Sequence, residues 1–376
     1  MSQTVRLEQL AGWDSRPHPT MSLYLSLDLP REGCLNALNQ LIKTKEQQMR
    51  ANGGAQDWDH LAPDLDKALR YVEELPRGPH RGLALFSCSR QDKFTAYPLP
   101  VVVPNLLEVG PRPYIRPLAA LADDHCPAVT VLLDQRRARF FQGAWGHLEE
   151  LKNLELQNQA VFPSRDGDQG RAGDKKLGRK ADEARQRFYR EAAGVLKERL
   201  DAAGQGALLL VGGPKSAVEE FCGQLPPHLS RRLAASFNLE VGASLSELAE
   251  AVKRAVRDAR RQRQQHLLGR LSDNLGPGGQ AATGLNQVLA ALYEGQVHTL
   301  LVHRGFTAAG GSCPNCGRLR HVAGECPLCG HQMTPVSDVV NLALARALES
   351  GATLEQVEGD SELDRLGSIA ALLRYA

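Results

Sequence analysis

Two short cysteine pairs set the strongest constraint on this chain: Cys313-Pro-Asn-Cys316 and, after nine residues, Cys326-Pro-Leu-Cys329. Each pair is followed by glycine, Gly317 or Gly330, so each forms a tight knuckle with its two sulfurs turned toward one point. Two such knuckles supply the four thiolates of a tetrahedral Zn²⁺ site. Iron is the alternative occupant, and four free thiols the alternative state. The gap between the pairs is shorter than in long zinc ribbons, so a small hairpin or loop has to bring them together. His321 and His331 stand nearby, but four sulfurs already complete the shell. A closed shell leaves no position for water, so the expected metal holds a fold rather than running chemistry.

The knuckles occupy a small part of 376 residues, a length that accommodates two or three domains. No apolar run approaches a membrane span, and the opening MSQTVRLEQL lacks a signal-peptide core, which points to a cytoplasmic chain. Cys34, Cys88, Cys126 and Cys222 are scattered without the spacing of a disulfide framework and read as buried thiols in a reducing compartment. A formal net charge of +2 carries no argument about partners. The distribution of charge does.

Residues 1–122 read as an α/β domain. Residues 19–29 alternate apolar and polar side chains as a half-buried strand does, and helical periodicity follows over 34–51 and 61–75. Residues 81–87 read as a buried strand. The prolines between Pro98 and Pro117 then make an edge strand or linker, because proline has no N–H to give a ladder. Nothing in this domain looks catalytic.

Residues 126–270 read as a second domain. Strands over 128–134, 137–142 and 146–151 form a meander, and a polar, glycine-rich loop over 163–180 opens into a helix over 181–200. A strand over 206–211, a helix after Pro214, a strand over 233–237 and a long helix from Ser244 to about 268 complete it, with Glu247 placed to close a capping box on Ser244. Three meandering strands followed by alternating helices and strands predict a mixed sheet covered by helices, in the order of the ribonuclease H-like architecture. Residues 281–376 then give a third α/β domain. Its elements are a helix over 285–292 stopped at Gly295, a strand over 297–302, a helix over 337–349 closed at Gly351, a strand over 353–357 and a final apolar segment over 366–373. The cysteine module, 313–330, is an insertion in this domain.

Charge concentrates in the second domain. Between Arg165 and Arg190 there are nine Lys or Arg against five Asp or Glu, with Phe188 and Tyr189 among them. An ordinary solvated loop and helix face is one reading. The other is nucleic acid: Arg165, Arg171, Lys175, Lys176, Arg179, Lys180, Arg185 and Arg187 would displace counterions from phosphates while the two rings stack on bases. A second basic run, 253–270, has seven Lys or Arg against Asp258 alone, and Arg254, Arg257 and Arg261 share one helix face. Asp134 at a strand end invites a two-metal nuclease reading, but the Gly212-Gly213 turn after the next strand brings no carboxylate to join it. Val211-Gly-Gly-Pro-Lys215-Ser216 is too short for a P-loop, and no Ser-His-Asp arrangement is legible.

The three-part order, with the segments 131–151, 185–200, 284–302, 338–357 and 366–375, resembles the archaeal and eukaryotic class-1 peptide release factors and Pelota, in particular their bacterial relatives. The resemblance covers nearly the whole chain. It implies an α/β, mixed α+β chain of three domains: an N-terminal α/β domain, a ribonuclease H-like central domain and an L30e-like C-terminal domain carrying the zinc knuckle. In those release factors a Gly-Gly-Gln tripeptide, in the loop before the long central helix, enters the peptidyl transferase centre and promotes hydrolysis of the peptidyl-tRNA ester. The matching loop here carries Gly167-Asp168-Gln169. The glutamine is kept, but Asp168 resists the backbone angles open to glycine and adds a carboxylate that would face RNA phosphates and the attacking water. Gly278-Gly279-Gln280 spells the tripeptide at the entrance to the third domain, the wrong place, and reads as a linker.

The resemblance therefore implies a ribosome-associated protein acting in ribosome rescue, translation quality control or dormancy. Its partners would be the ribosome with its rRNA and tRNA, and a translational GTPase; no membrane is involved. Peptidyl-tRNA hydrolysis through Gln169 is one form of that role. A non-catalytic RNA- or protein-binding adaptor on the same scaffold is the alternative, and a scaffold that never meets the ribosome is a third. No stop-codon-reading motif is legible in the first domain, which argues against codon-dependent termination.

Overall fold

A short helix, α1 (Leu7–Ala11), leads into β1 (Thr20–Ser26), where Met21, Leu23 and Leu25 point to one face and Ser22 and Tyr24 to the other. The computed structural model describes residues 7–76, 78–144, 147–156, 171–204, 206–276, 278–359 and 362–375, those from 171 to 178 through their backbone alone. Beyond β1 come the helices α2 (Arg31–Ala51), α3 (Ala55–Asp59) and α4 (Ala62–Glu74). Strands β2 (Gly82–Cys88), β3 (Lys93–Leu99) and β4 (Leu106–Gly110) follow. They pair antiparallel in the order β3-β2-β1-β4. Met21, Leu23 and Leu25 pack against Cys34, Leu38, Ala68 and Val72 of the helices. On the opposite face Tyr24 meets Phe86 edge-on, with ring centroids 5.9 Å apart. Pro98 falls in β3, an edge strand, where its missing donor costs no ladder bond.

Helix α5 (Arg116–Asp124) ends this segment, and the central sheet begins. Strands β5 (Ala128–Leu133), β6 (Arg137–Ala144) and β7 (His147–Glu155) form the antiparallel meander. Helix α6 (Arg171–Ala203) then leads to β8 (Leu208–Gly212), α7 (Lys215–Gly223), α8 (Pro227–Ser230), β9 (Leu233–Phe237) and α9 (Leu245–Asp273). Strand β8 joins β5 in parallel and β9 joins β8 in parallel, giving β7-β6-β5-β8-β9, the ribonuclease H-like arrangement. Its two faces are covered by different helices. Val129, Val131 and Leu133 face Phe188, Tyr189, Ala192 and Leu196 of α6 and Phe221 of α7. Leu132 and Phe141 face Leu248 and Val252 of α9, and Ala128 and Leu210 face Ala255.

Helix α6 is already under way at Arg171, ten residues before the position expected from the polar loop. The run Asp174-Lys-Lys-Leu-Gly-Arg-Lys has the charge and glycine of a loop, yet Lys, Arg and Leu are good helix formers and no proline interrupts them. At α9 the expected capping box is present: the Ser244 N–H and hydroxyl donate to Glu247 Oε2 at 2.9 and 2.7 Å, and the Glu247 N–H donates back to Ser244 Oγ at 3.3 Å.

The last segment contains β10 (Ala281–Thr283), α10 (Gly284–Tyr293), β11 (Val297–His303), β12 (Gly310–Ser312), β13 (Leu319–Arg320), β14 (Thr334–Val336), α11 (Val339–Glu349), β15 (Thr353–Val357), α12 (Glu362–Arg365) and β16 (Ile369–Leu373). One sheet runs β10-β16-β11-β15, with β11 and β15 parallel; a second, three-stranded one runs β13-β12-β14 and carries the cysteines. Leu267 and Leu271, in the last turns of α9, pack with Leu301, Val357 and Leu372 of this segment.

The chain divides into two units, Asp124–Gln265 and a second one made of Met1–Asp123 with His266–Ala376. Within that second unit the first and last segments are joined by buried polar contacts. Asn341 accepts the Ile115 N–H at 2.9 Å and donates to the Pro113 carbonyl at 3.1 Å, while Arg116 donates to Asp338 at 2.7 Å. Segments so far apart in sequence gave no local signal of this packing.

Candidate functional site

The four knuckle cysteines converge. Cys313 and Cys329 Sγ are 3.4 Å apart, Cys316 and Cys326 3.6 Å, and Cys316 and Cys329 3.7 Å, with all four sulfurs within 4.8 Å of one another. A tetrahedral ion with metal–sulfur bonds of about 2.3 Å sets its sulfurs roughly 3.8 Å apart, so the four thiols fit a metal ion of that kind. The two knuckles are built alike. Gly317 and Gly330 both adopt left-handed angles, φ 73° and 72°, and donate to the carbonyls of Cys313 and Cys326 at 3.0 and 2.9 Å. The first cysteine of each pair donates its N–H to a residue beyond the turn, Arg318 for Cys313 and His331 for Cys326.

Backbone donors prepare the sulfurs. The His331 N–H first, then the Asn315 side chain, draw the Cys329 thiol down to about 6, and the Leu328 N–H lowers Cys326. At Cys316 the Arg318 N–H pulls the same way, but burial and the three neighbouring sulfurs outweigh it and lift the thiol to about 11. A divalent cation removes that conflict, because it favours the thiolate at every position. His321 and His331 are exposed and outside the sulfur cluster; the His331 ring lies 3.2 Å from the Cys329 carbonyl.

The module is braced by α10 and α11. Arg346 of α11 donates to the Gly317 carbonyl at 2.9 Å, and the Arg318 guanidinium lies 5.1 Å from the Tyr293 ring centroid. Sequence reasoning missed Arg346. It stands 29 residues from Gly317 on a helix whose pattern is that of an apolar core element, so no spacing rule pointed to it.

Of the basic set in the central unit, Arg165 lies outside the described residues, as do the loop residues Gly167, Asp168 and Gln169. Arg171, Lys175 and Lys176 fall on the first turns of α6, where the backbone alone is described. Arg179, Lys180 and Arg187 are exposed along that helix. Arg185 is held in place by Glu220 at 2.7 Å and Asp182 at 2.8 Å. The stacking role expected for Phe188 and Tyr189 is corrected: they are 3 % and 1 % exposed and fill the core between α6 and the sheet. The missed signal was their helical spacing to Ala192, Leu196 and Leu200, which continues the same buried stripe.

Asp134 serves a turn, accepting the Arg136 and Arg137 N–H groups, both at 2.7 Å. Among the described residues the cysteines are the one cluster suited to a metal, and no carboxylates gather at Asp134. The Gly278-Gly279-Gln280 tripeptide is part of a tight turn. A Cβ on Gly279 would lie 2.0 Å from the Asn274 carbonyl oxygen, and the Gln280 carbonyl accepts the Leu373 N–H at 2.9 Å. No described helix is long and apolar enough to cross a membrane.

Residues 113–257 match the model of the bacterial archaeo-eukaryotic release factor family 10. The chain is 23 % identical to peptide chain release factor subunit 1 of Archaeoglobus fulgidus, over 98 % of its own length and 96 % of that protein's. Among solved structures, the C-terminal domain of the Methanosarcina mazei peptide chain release factor is 30 % identical over 35 % of this chain and 93 % of that one, at a TM-score of 0.28. Archaeoglobus fulgidus Pelota is 17 % identical over 78 % of this chain and 80 % of that one, at a TM-score of 0.32.

Proposed function

We propose that this chain, which belongs to the archaeo-eukaryotic release-factor and Pelota superfamily, acts on ribosomes as a release-factor-like protein in rescue, quality control or dormancy. The observation that carries this reading is the match to a peptide chain release factor subunit over 98 % of the chain, joined by the family match centred on the middle unit. The three segments act as modules. The middle one carries Gly167-Asp168-Gln169 in the sequence just before α6, and the cationic residues Arg165, Arg171, Lys175, Lys176, Arg179, Lys180 and Arg187 neutralise RNA phosphates. Arg185, tied to Glu220, orients that helix on α7 and contributes charge at longer range.

Zn²⁺ fills the four-cysteine site and holds the excursion between β12 and β14 as a rigid platform for a protein partner, of which a translational GTPase is the kind the superfamily suggests. Chemistry, where the chain performs it, is hydrolysis of the peptidyl-tRNA ester with Gln169 positioning water. Asp168 favours a second reading, a non-catalytic adaptor: a carboxylate beside the glutamine repels both the phosphates and the hydroxide-like nucleophile. Gln169→Ala separates the two on purified stalled ribosomal complexes. Loss of peptidyl-tRNA release in the variant supports hydrolysis, whereas absent or unchanged release leaves the adaptor. A wild-type chain that fails to bind ribosomes at all refutes both.

A further inference from the structure

We propose that the exposed face of α9 is a second RNA-backbone contact, separate from the one at the head of α6, so that the central unit engages two different stretches of RNA. The proposal rests on the ribosomal reading above for its partner and on the structure for its place. Lys253, Arg254, Arg257 and Arg261 are all exposed, while Leu248, Ala251 and Ala255 on the other side of the same helix are buried against the sheet. At 1.5 Å per residue the four cations extend over about 12 Å along the helix.

The four are free. Arg260, beside them, is engaged by Asp124 at 3.1 Å, and on α6 Arg185 is engaged by Glu220, but among the described residues none of these four meets a carboxylate at ion-pair distance. Glu250 and Asp258 stand one turn to either side of Arg254 without closing on it. A cationic stripe left unneutralised by its own protein is complementary to a line of phosphates. A lipid surface is the poorer partner. Membrane-lying helices carry large apolar side chains at the water boundary, and over residues 250–265 the exposed positions of α9 are charged or polar.

Position sharpens the proposal. Helix α6 packs on the sheet face formed by Val129, Val131 and Leu133, and α9 on the face formed by Leu132, Phe141 and Leu210. The basic run of α9 thus lies across one five-stranded sheet from the stretch of α6, Phe188 to Leu200, that packs on the other face. On this placement α9 is assigned an RNA stretch of its own.

The full-length protein tests this with a fluorescein-labelled RNA hairpin and with purified ribosomes. For the hairpin, R254Q/R257Q/R261Q is expected to lower the slope of log K against log salt by about two, and to weaken binding at least tenfold at moderate salt, with unchanged circular dichroism. Should the triple variant misfold, R257Q alone is expected to lower the slope by about 0.7–0.9. On ribosomes, the losses caused by the α9 triple and by R179Q/K180Q/R187Q are expected to multiply, as for independent contacts. An unchanged slope and affinity in the α9 variants overturns the proposal, as does loss of binding to phosphatidylserine vesicles with RNA binding intact. Losses that fail to multiply overturn the two-stretch part. If the wild type ignores ribosomes yet binds the hairpin through α9, the ribosomal reading falls and the stripe stands.

Discussion

Arg116 donates to Asp338 across 2.7 Å, and the two side chains are 8 % and 9 % exposed, so a nearly dry ion pair joins the first segment of the chain to the last. Further hydrogen bonds hold both members of the pair. Arg116 also donates to the Arg304 carbonyl at 3.0 Å, and the Tyr114 hydroxyl donates to Asp338 at 3.1 Å. Burial, and then the Asp338 charge, push that hydroxyl up to about 12, which keeps it a donor.

Removing one partner leaves the other charge buried alone. D338A is expected to cost about 3–5 kcal/mol, whereas R116M/D338L recovers part of that loss, because the desolvation penalty disappears with the charges while the Tyr114 hydroxyl, the Arg304 carbonyl and the Val340 N–H lose their partners. Urea midpoints and hydrogen-exchange protection of the α11 amides read the difference. Equal losses in the single and double variants would show that the pair is not the seam's main tie.

Cys316→Ser removes one of four sulfurs. With zinc supplied, metal content measured on the purified chain is expected to fall from about one ion per chain in the wild type toward none, with hydrogen exchange rising across 310–336 and staying unchanged in the central unit. His331→Ala is expected to keep the metal, since its ring lies outside the sulfur cluster.

The Tyr189 hydroxyl is buried without a hydrogen-bond partner among the described residues. Tyr189→Phe is therefore expected to be neutral or to stabilise by up to about 1 kcal/mol. Phe221→Ala, which empties the place against which Tyr189 packs at 5.4 Å, is expected to cost about 3–5 kcal/mol. A drop in RNA binding in Tyr189→Phe without loss of stability would restore the stacking role rejected above.

Arg139 holds the Glu150 carboxyl below the usual range through a two-pronged bond at 2.9 and 2.8 Å. A carboxyl with a lowered folded pKa adds stability above its unfolded value, and that stability is lost as pH falls through the folded one. The pair is partly exposed, so its share is under about 1 kcal/mol. In a urea series from neutral pH to below the carboxylate range, Glu150→Gln should flatten the acid side slightly. Arg139→Ala should cost more at every pH, because its guanidinium also donates to the carbonyls of Val241 and Ala243.

What sequence made legible were features with local causes. The knuckles were readable because Cys-x-x-Cys-Gly carries its geometry within five residues, and the start of α9 because Ser244 and Glu247 satisfy each other across one turn. The meander and the ribonuclease H-like order followed from strand patterns along one stretch of chain. The start of α6 was missed because charge there masked helix propensity. The burial of Phe188 and Tyr189 was misread because a basic neighbourhood drew attention from an apolar stripe. The seam of Arg116, Asn341 and Asp338 was out of reach, since its partners stand more than two hundred residues apart and no pattern in either segment names the other.

Sedimentation of cell lysate through sucrose tests the central claim most directly. The chain is expected to travel with ribosomal fractions at low salt and to be released steeply as salt rises, in keeping with phosphate contacts. Its absence from ribosomal fractions at both low and moderate salt would contradict the account.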